Sequence, residues 1–306
     1  MRGLKAALLA AAVLAPLAAH AEDAPPAPHV QVVPGFADFL AIDGKTVWAT
    51  NKGRVEQWSV KGKLAEAPMG RPCGGMSVAF GALWVADCPE NAVKRIDLKT
   101  GKLLATISSG IANQREGELN TVTGAGSVWI GSDAAGKIAR INPATNNVVA
   151  TIPVAPGSWY LSFGLGALWA VSAKEQLLQR IDPATNAVTG TAALGKAPGF
   201  LVAGEGAVWV QEQGDGTVAR VDPGTMAVTA RIKVGDNLKW GDIDTGDGKV
   251  WLRTTDDQEY VVIDAATNAI LSRVGKPVGS GALRWTPQGV WTSAHDVHTL
   301  TWWPTK

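Results

Sequence analysis

Seven tryptophans recur along the chain at nearly even steps: Trp48, Trp84, Trp129, Trp169, Trp209, Trp251 and Trp291 are 36, 45, 40, 40, 42 and 40 residues apart. Each follows a glycine-containing turn and a valine or leucine. A period near 40, with several short β-like runs in every unit, is the pattern of a β-propeller, because one small sheet cannot bury its faces until neighbours stack on it. The chain is therefore predicted to be all-β, a seven-bladed β-propeller of four-stranded antiparallel blades.

Residues 201–234 show the unit most clearly. Residues 201–203 and 207–211 read as the first two strands, joined by the turn Gly204-Glu205-Gly206. Gln213-Gly214-Asp215-Gly216 makes a hairpin in which glycine accepts positive φ. Residues 217–221 are a third strand, Asp222-Pro223-Gly224-Thr225 a type I turn, and 226–234 a fourth strand. Other units end the third strand in the same way, as in Arg95-Ile96-Asp97, Arg140-Ile141-Asn142-Pro143 and Arg180-Ile181-Asp182-Pro183. Blade six keeps Ile263-Asp264 without the proline, and blade one is the most divergent. The last unit supplies three strands. Val30-Gln31-Val32-Val33 is expected to provide its fourth, so that the N-terminal strand joins the C-terminal blade and closes the ring with no free sheet edge.

The same regularity separates scaffold from function. A tryptophan or third-strand arginine required alike by every blade reads as packing, and function is expected where the symmetry breaks.

Residues 1–21 have the form of a signal peptide: Arg2 and Lys5, an apolar stretch over 6–18, then Ala19-His20-Ala21 as a small-x-small cleavage site. That stretch is too short and alanine-rich to span a bilayer core of about 30 Å, and no membrane span is expected elsewhere. Residues 22–29 read as a disordered, proline-rich lead-in, which leaves 30–306 for the propeller. The formal charge is +1, and loss of the two signal cations, Arg2 and Lys5, takes it to −1. Near-neutrality without a block of like charge argues against nucleic acid as a partner. Cys73 and Cys88 are the only cysteines, and in an exported protein such a pair is expected to form a disulfide. The expected location is periplasmic or secreted, and the expected state a monomer.

The irregular residues lie in the connections between blades and in the turns between second and third strands, which share one face. Arg115, Trp159, Tyr160, Trp240, Arg253 and His295 are the expected contacts for an unidentified protein or small-molecule ligand. Ser293, His295 and Asp296 sit on one hairpin without a nucleophile elbow. His295 and His298, three apart in an expected strand, would point to opposite faces rather than toward one metal. There is no phosphate-cradling glycine loop, dinucleotide fingerprint or CxxCH haem motif. No catalytic set and no cofactor are expected on these grounds.

The core Gly81-Ala82-Leu83-Trp84-Val85 followed by Val93-Lys94-Arg95-Ile96-Asp97, with the copy ending Ile181-Asp182-Pro183-Ala184-Thr185-Asn186, resembles two related groups over residues 30–303. One is the YVTN-repeat, surface-layer-like propellers, which implies a binding or scaffold protein of the envelope. The other is the streptogramin (virginiamycin B) lyase family, which implies a magnesium-dependent, antibiotic-cleaving seven-bladed enzyme. That resemblance further implies a catalytic histidine in a Pro-His-x-Ile lead into an inner strand, and a catalytic glutamate after the last blade's tryptophan. The matching leads here are Pro34-Gly35-Phe36, Gly157-Ser158-Trp159, Pro198-Gly199-Phe200 and Trp240-Gly241-Asp242, none with histidine, and the residue nearest the glutamate position is His295. A non-catalytic binding or scaffold protein is the leading expectation. The alternative is a lyase or hydrolase at the central channel, using a divalent metal such as Mg with Asp87, Glu212, Asp242 and His295 as ligands or bases.

Overall fold

The computed structural model describes residues 27–111, 118–131, 134–239 and 241–305. The signal segment, most of the lead-in, Arg115 and Trp240 lie outside the described residues. The described chain forms seven sheets, each of four antiparallel strands, arranged as successive blades of a ring. Blade five comprises Pro198–Gly204, Ala207–Glu212, Thr217–Val221 and Val228–Lys233, so all four strands fall where the repeat places them. At its hairpin Gly216 takes φ +65°, and a Cβ there would meet the Gly235 carbonyl at 2.0 Å, so only glycine fits.

The seventh blade is built from both ends of the chain. Leu283–Thr286, Gly289–Ala294 and Thr299–Pro304 run from the axis outward, and His29–Val32 is the outermost strand. His29 pairs with Trp302 and Val32 with Thr299, and the Val33 N–H donates to the His298 carbonyl at 2.8 Å. The closing strand thus starts one residue inside the expected lead-in.

Residues 295–298 correct the expectation of extended strand. His295–Val297 is a 3-10 turn, and His298 takes a left-handed φ of 56°. Because Ala294 pairs with Thr299, the chain must reverse between them, and a reversal this short needs a left-handed residue. Strand alternation therefore does not separate the two histidines.

The apolar core is divided into wedges between adjacent blades, and each repeated tryptophan packs toward the blade that follows it. Trp84 meets Val128 and Ile130, Trp129 meets Leu161 and Leu168, and Trp209 meets Ile243 and Val250. Trp291 does the same across the closure, against Leu40 and Val47. The indole N–H would cost about 1–3 kcal/mol if buried unpaired. Trp84, Trp129, Trp169, Trp209 and Trp251 each donate it to the carbonyl of the first strand's end, at 3.0–3.1 Å.

The third-strand arginines lock the wedges from one end. Arg95, Arg140 and Arg180 each reach the carbonyl of Pro143, Pro183 and Pro223 in the next blade, at 2.9, 2.6 and 2.9 Å. Arg95 and Arg140 also lie over the tryptophan of their own blade, at 5.1 and 4.6 Å from the ring centre. A register shift follows each arginine in its pairing with the fourth strand. Cys73 and Cys88 form a disulfide with a Cα–Cα separation of 6.0 Å. Among the described residues no helix is long and apolar enough to cross a membrane.

Candidate functional site

The innermost strand of each blade pairs with the tryptophan strand in a fixed register. Ala41, Ser77, Val122, Ser162, Val202, Asp244 and Arg284 stand opposite the seven tryptophans. Two residues nearer the start of each inner lead are Phe39, Gly75, Asn120, Tyr160, Phe200, Asp242 and Ala282. Most residues of these two rings line one cavity of about 190 Å³ within the ring of inner strands. The cavity is strongly polarised. Phe39, Tyr160 and Phe200 form an aromatic wall, with ring centres 4.4 Å apart for Tyr160–Phe200 and 6.3 Å for Phe39–Phe200. Blades six and seven supply the charges, where Arg284 Nη1 sits 2.5 Å from Asp242 Oδ2 and Asp244 accepts the Trp285 N–H at 2.9 Å. Burial works against the Arg284 cation, but Asp242 and Asp244 outweigh it and hold its pKa above the ordinary value.

A second cavity, about 290 Å³, shares Phe39 as a wall and is lined by Asp38, Glu118, Phe36, Arg71 and Cys73 among others. The backbone of Asp38 is held from two blades: its N–H donates to the Thr50 carbonyl at 3.1 Å, and the Ser293 hydroxyl donates to its carbonyl at 2.5 Å. Its carboxylate accepts no hydrogen bond from any described residue. Half-buried by area yet enclosed by protein, Asp38 has its pKa pushed up to about 8, by burial first and then by Glu118, Asp242 and Asp296, with Arg253 opposing. Glu118 is pushed up to about 7 by burial, against Arg71 and with help from Asp242. Burial also raises the Tyr160 phenol, reinforced by Glu118 and Asp242. Glu118 and Asp242 thus act on Asp38, and Asp242 on Glu118, although the three come from blades one, three and six.

The residues expected from sequence are scattered relative to this site. Tyr160 lies in the inner cavity. Trp159 is half-buried, and its carbonyl accepts the Asn120 side-chain amide at 2.5 Å. Arg253 is completely buried, its guanidinium on the carbonyls of Thr254, Glu259, Gly279 and Ser293, so it clamps loops of blades six and seven. His295 stacks on Phe36 with ring centres 3.9 Å apart, and burial lowers its pKa, with Asp296 opposing. Asp87 accepts the N–H groups of Gly70 and Arg71, and Glu212 those of Gly195, the Thr217 hydroxyl and Arg231. Both carboxylates are fully buried and already spent on the connection before their strand.

Sequence reasoning missed Asp38, Phe39, Glu118, Phe200, Asp244 and Arg284. A usable signal existed for four of them, because stepping back seven or nine residues from each tryptophan lands on the cavity wall. Among the described residues no group of three His, Cys, Asp or Glu is placed to hold a metal ion.

No family model and no curated protein matches the chain. Solved structures do. A virginiamycin B lyase from Staphylococcus aureus superposes with a TM-score of 0.78 at 16% identity, covering 92% of this chain and 99% of that one. A streptogramin B lyase structure gives 0.76 at 15% identity, covering 90% and 97%. The computationally designed Ika8 protein gives 0.64 at 13% identity, covering 89% and 98%. The fold read from the repeats is thus shared with the streptogramin lyases over nearly the whole chain, and at these identities the likeness is one of fold.

Proposed function

We propose that the chain is an exported, monomeric, non-catalytic binding protein that takes a small ligand into the paired cavities at its loop-rich face. One observation carries this reading: the sevenfold pattern fails at the axis, where aromatic rings from blades one, four and five face charged residues from blades six and seven. Repeated residues are consumed by inter-blade packing, whereas Phe39, Tyr160, Phe200, Asp38 and Glu118 have no counterpart in every blade. The disulfide suits an oxidising compartment and pins the segment carrying Arg71 and Cys73 beside the outer cavity. The test is a fragment screen by ligand-detected NMR on the wild type and Phe39→Ala. Hits that vanish in the variant support the site, and hits indifferent to it sink the reading.

A second reading, a lyase, is favoured by the likeness to streptogramin lyases and by two carboxyls titrating near neutrality, where general acid–base groups work best. Incubation with streptogramin B and simple lactones, with and without Mg²⁺, separates the two. Turnover abolished by Asp38→Asn would establish the enzyme, and no turnover leaves the binding protein.

A further inference from the structure

Resting on the binding reading above, we infer that the paired cavities select a small organic ammonium ion, held by carboxylates on one side and aromatic faces on the other. The charges on the walls point this way. Among the described residues the inner cavity carries two carboxyls, Asp242 and Asp244, against one cation, Arg284, and burial raises the Asp244 pKa, with Arg284 opposing. Among the described residues lining the outer cavity, the carboxyls Asp38 and Glu118 are partly buried, while the cations Lys52 and Arg71 are exposed. Arg253, which acts on Asp38, has its guanidinium on backbone carbonyls and cannot swing toward a ligand.

The Asp38 carboxyl accepts no hydrogen bond from a described residue, and its ionised form is opposed by burial and by Glu118, Asp242 and Asp296. An entering cation relieves both, whereas an anion deepens them. Among the described residues no three His, Cys, Asp or Glu side chains converge as a hard cation's carboxylate cage would require. An organic ammonium needs only diffuse negative charge and ring faces, which Phe39, Tyr160 and Phe200 provide. The cavities are small beside the roughly 300–1,000 Å³ of drug-sized pockets, so the ligand is a small ammonium or a single cationic head group.

Isothermal titration calorimetry on the full protein at about pH 9, where Asp38 and Glu118 are mostly ionised, with benzyltrimethylammonium, benzyl alcohol and benzoate tests this. The cation should bind at least ~10-fold more tightly than either comparator. Asp38→Asn and Glu118→Gln, which keep side-chain shape, should each remove most of that preference while the far-UV spectrum stays unchanged. If Asp38→Asn misfolds, Glu118→Gln alone decides. Benzoate or benzyl alcohol binding as tightly as the cation overturns the ammonium assignment, and so does cation binding unmoved by the soluble variants or undetectable at millimolar concentration. Binding of either comparator that Phe39→Ala abolishes would leave the cavity as a ligand site and remove only its charge selection.

Discussion

On one side of the ring the turns 97–101, 142–146, 182–186, 222–226 and 264–268 are near copies. In each, the fifth residue's N–H closes on the first residue's carbonyl at 2.8–3.0 Å. Asp97, Asp222 and Asp264 accept the threonine N–H and hydroxyl three residues on. Those bonds hold all three carboxyls below the usual range. On the other side one task, tying the tryptophan strand's end to the connection between blades, is solved differently each time. Asn51 accepts the Phe36 N–H, Asp87 those of Gly70 and Arg71, Ser172 donates to the Pro156 carbonyl, Glu212 accepts from Gly195 and Arg253 reaches Gly279. Identical turns hold identical wedges. Varied ties let each blade deliver a different side chain to the axis.

The sharpest way to break this contrast is to strike the repeat. Trp209→Ala should cost about 3–5 kcal/mol, since it empties the wedge between blades five and six. A loss below about 1 kcal/mol in chemical denaturation would mean the wedges are not the core. Next in size is the disulfide on the varied face. Its loop spans 15 residues, so Cys73→Ser with Cys88→Ser should cost about 3 kcal/mol by loop entropy. Hydrogen exchange should rise first at residues 69–75, beside the outer cavity. Arg140→Ala removes the bridge to Pro183 and the contact with Trp129, and should cost about 1–2 kcal/mol. Arg140→Lys should not restore it, because a point charge lacks the planar fork.

The smallest effect concerns the axis and has the opposite sign. Asp38 is pushed up to about 8 in the folded chain, against about 3.9 unfolded. The unfolded state therefore releases its proton first, and stability falls as pH rises between those values. Asp38→Asn lacks this penalty. It should match the wild type near about pH 4 and melt about 2–4 °C higher near pH 8 or 9, because solvent reaching the half-buried carboxyl screens most of the penalty. A variant less stable than the wild type at both ends would mean the carboxylate is structurally required.

Blade number, strand order, ring closure and the disulfide were legible because each depends on residues repeated at fixed spacing or on a single possible partner. Tyr160 was reached by its place in an irregular lead. Arg253 and His295 were singled out by residue type on the loop-rich face, yet one lies wholly buried on carbonyls and the other against Phe36. Exposure is not written in a residue's type. Asp38 and Glu118 escaped notice because a lone acid in a loop reads as solvated until other blades enclose it.

The sequence by itself determined the closed ring, since a 40-residue period of strands and tryptophans has one way to bury its faces. It also determined the turn chemistry, in which Asp or Asn, Thr and a left-handed Asn, Gly or Met act within five residues. Only the tertiary structure decided what meets at the axis. Asp38, Glu118 and Asp242 lie far apart in the chain, and Asp242 acts on the other two carboxyls because the ring carries three different blades to one centre.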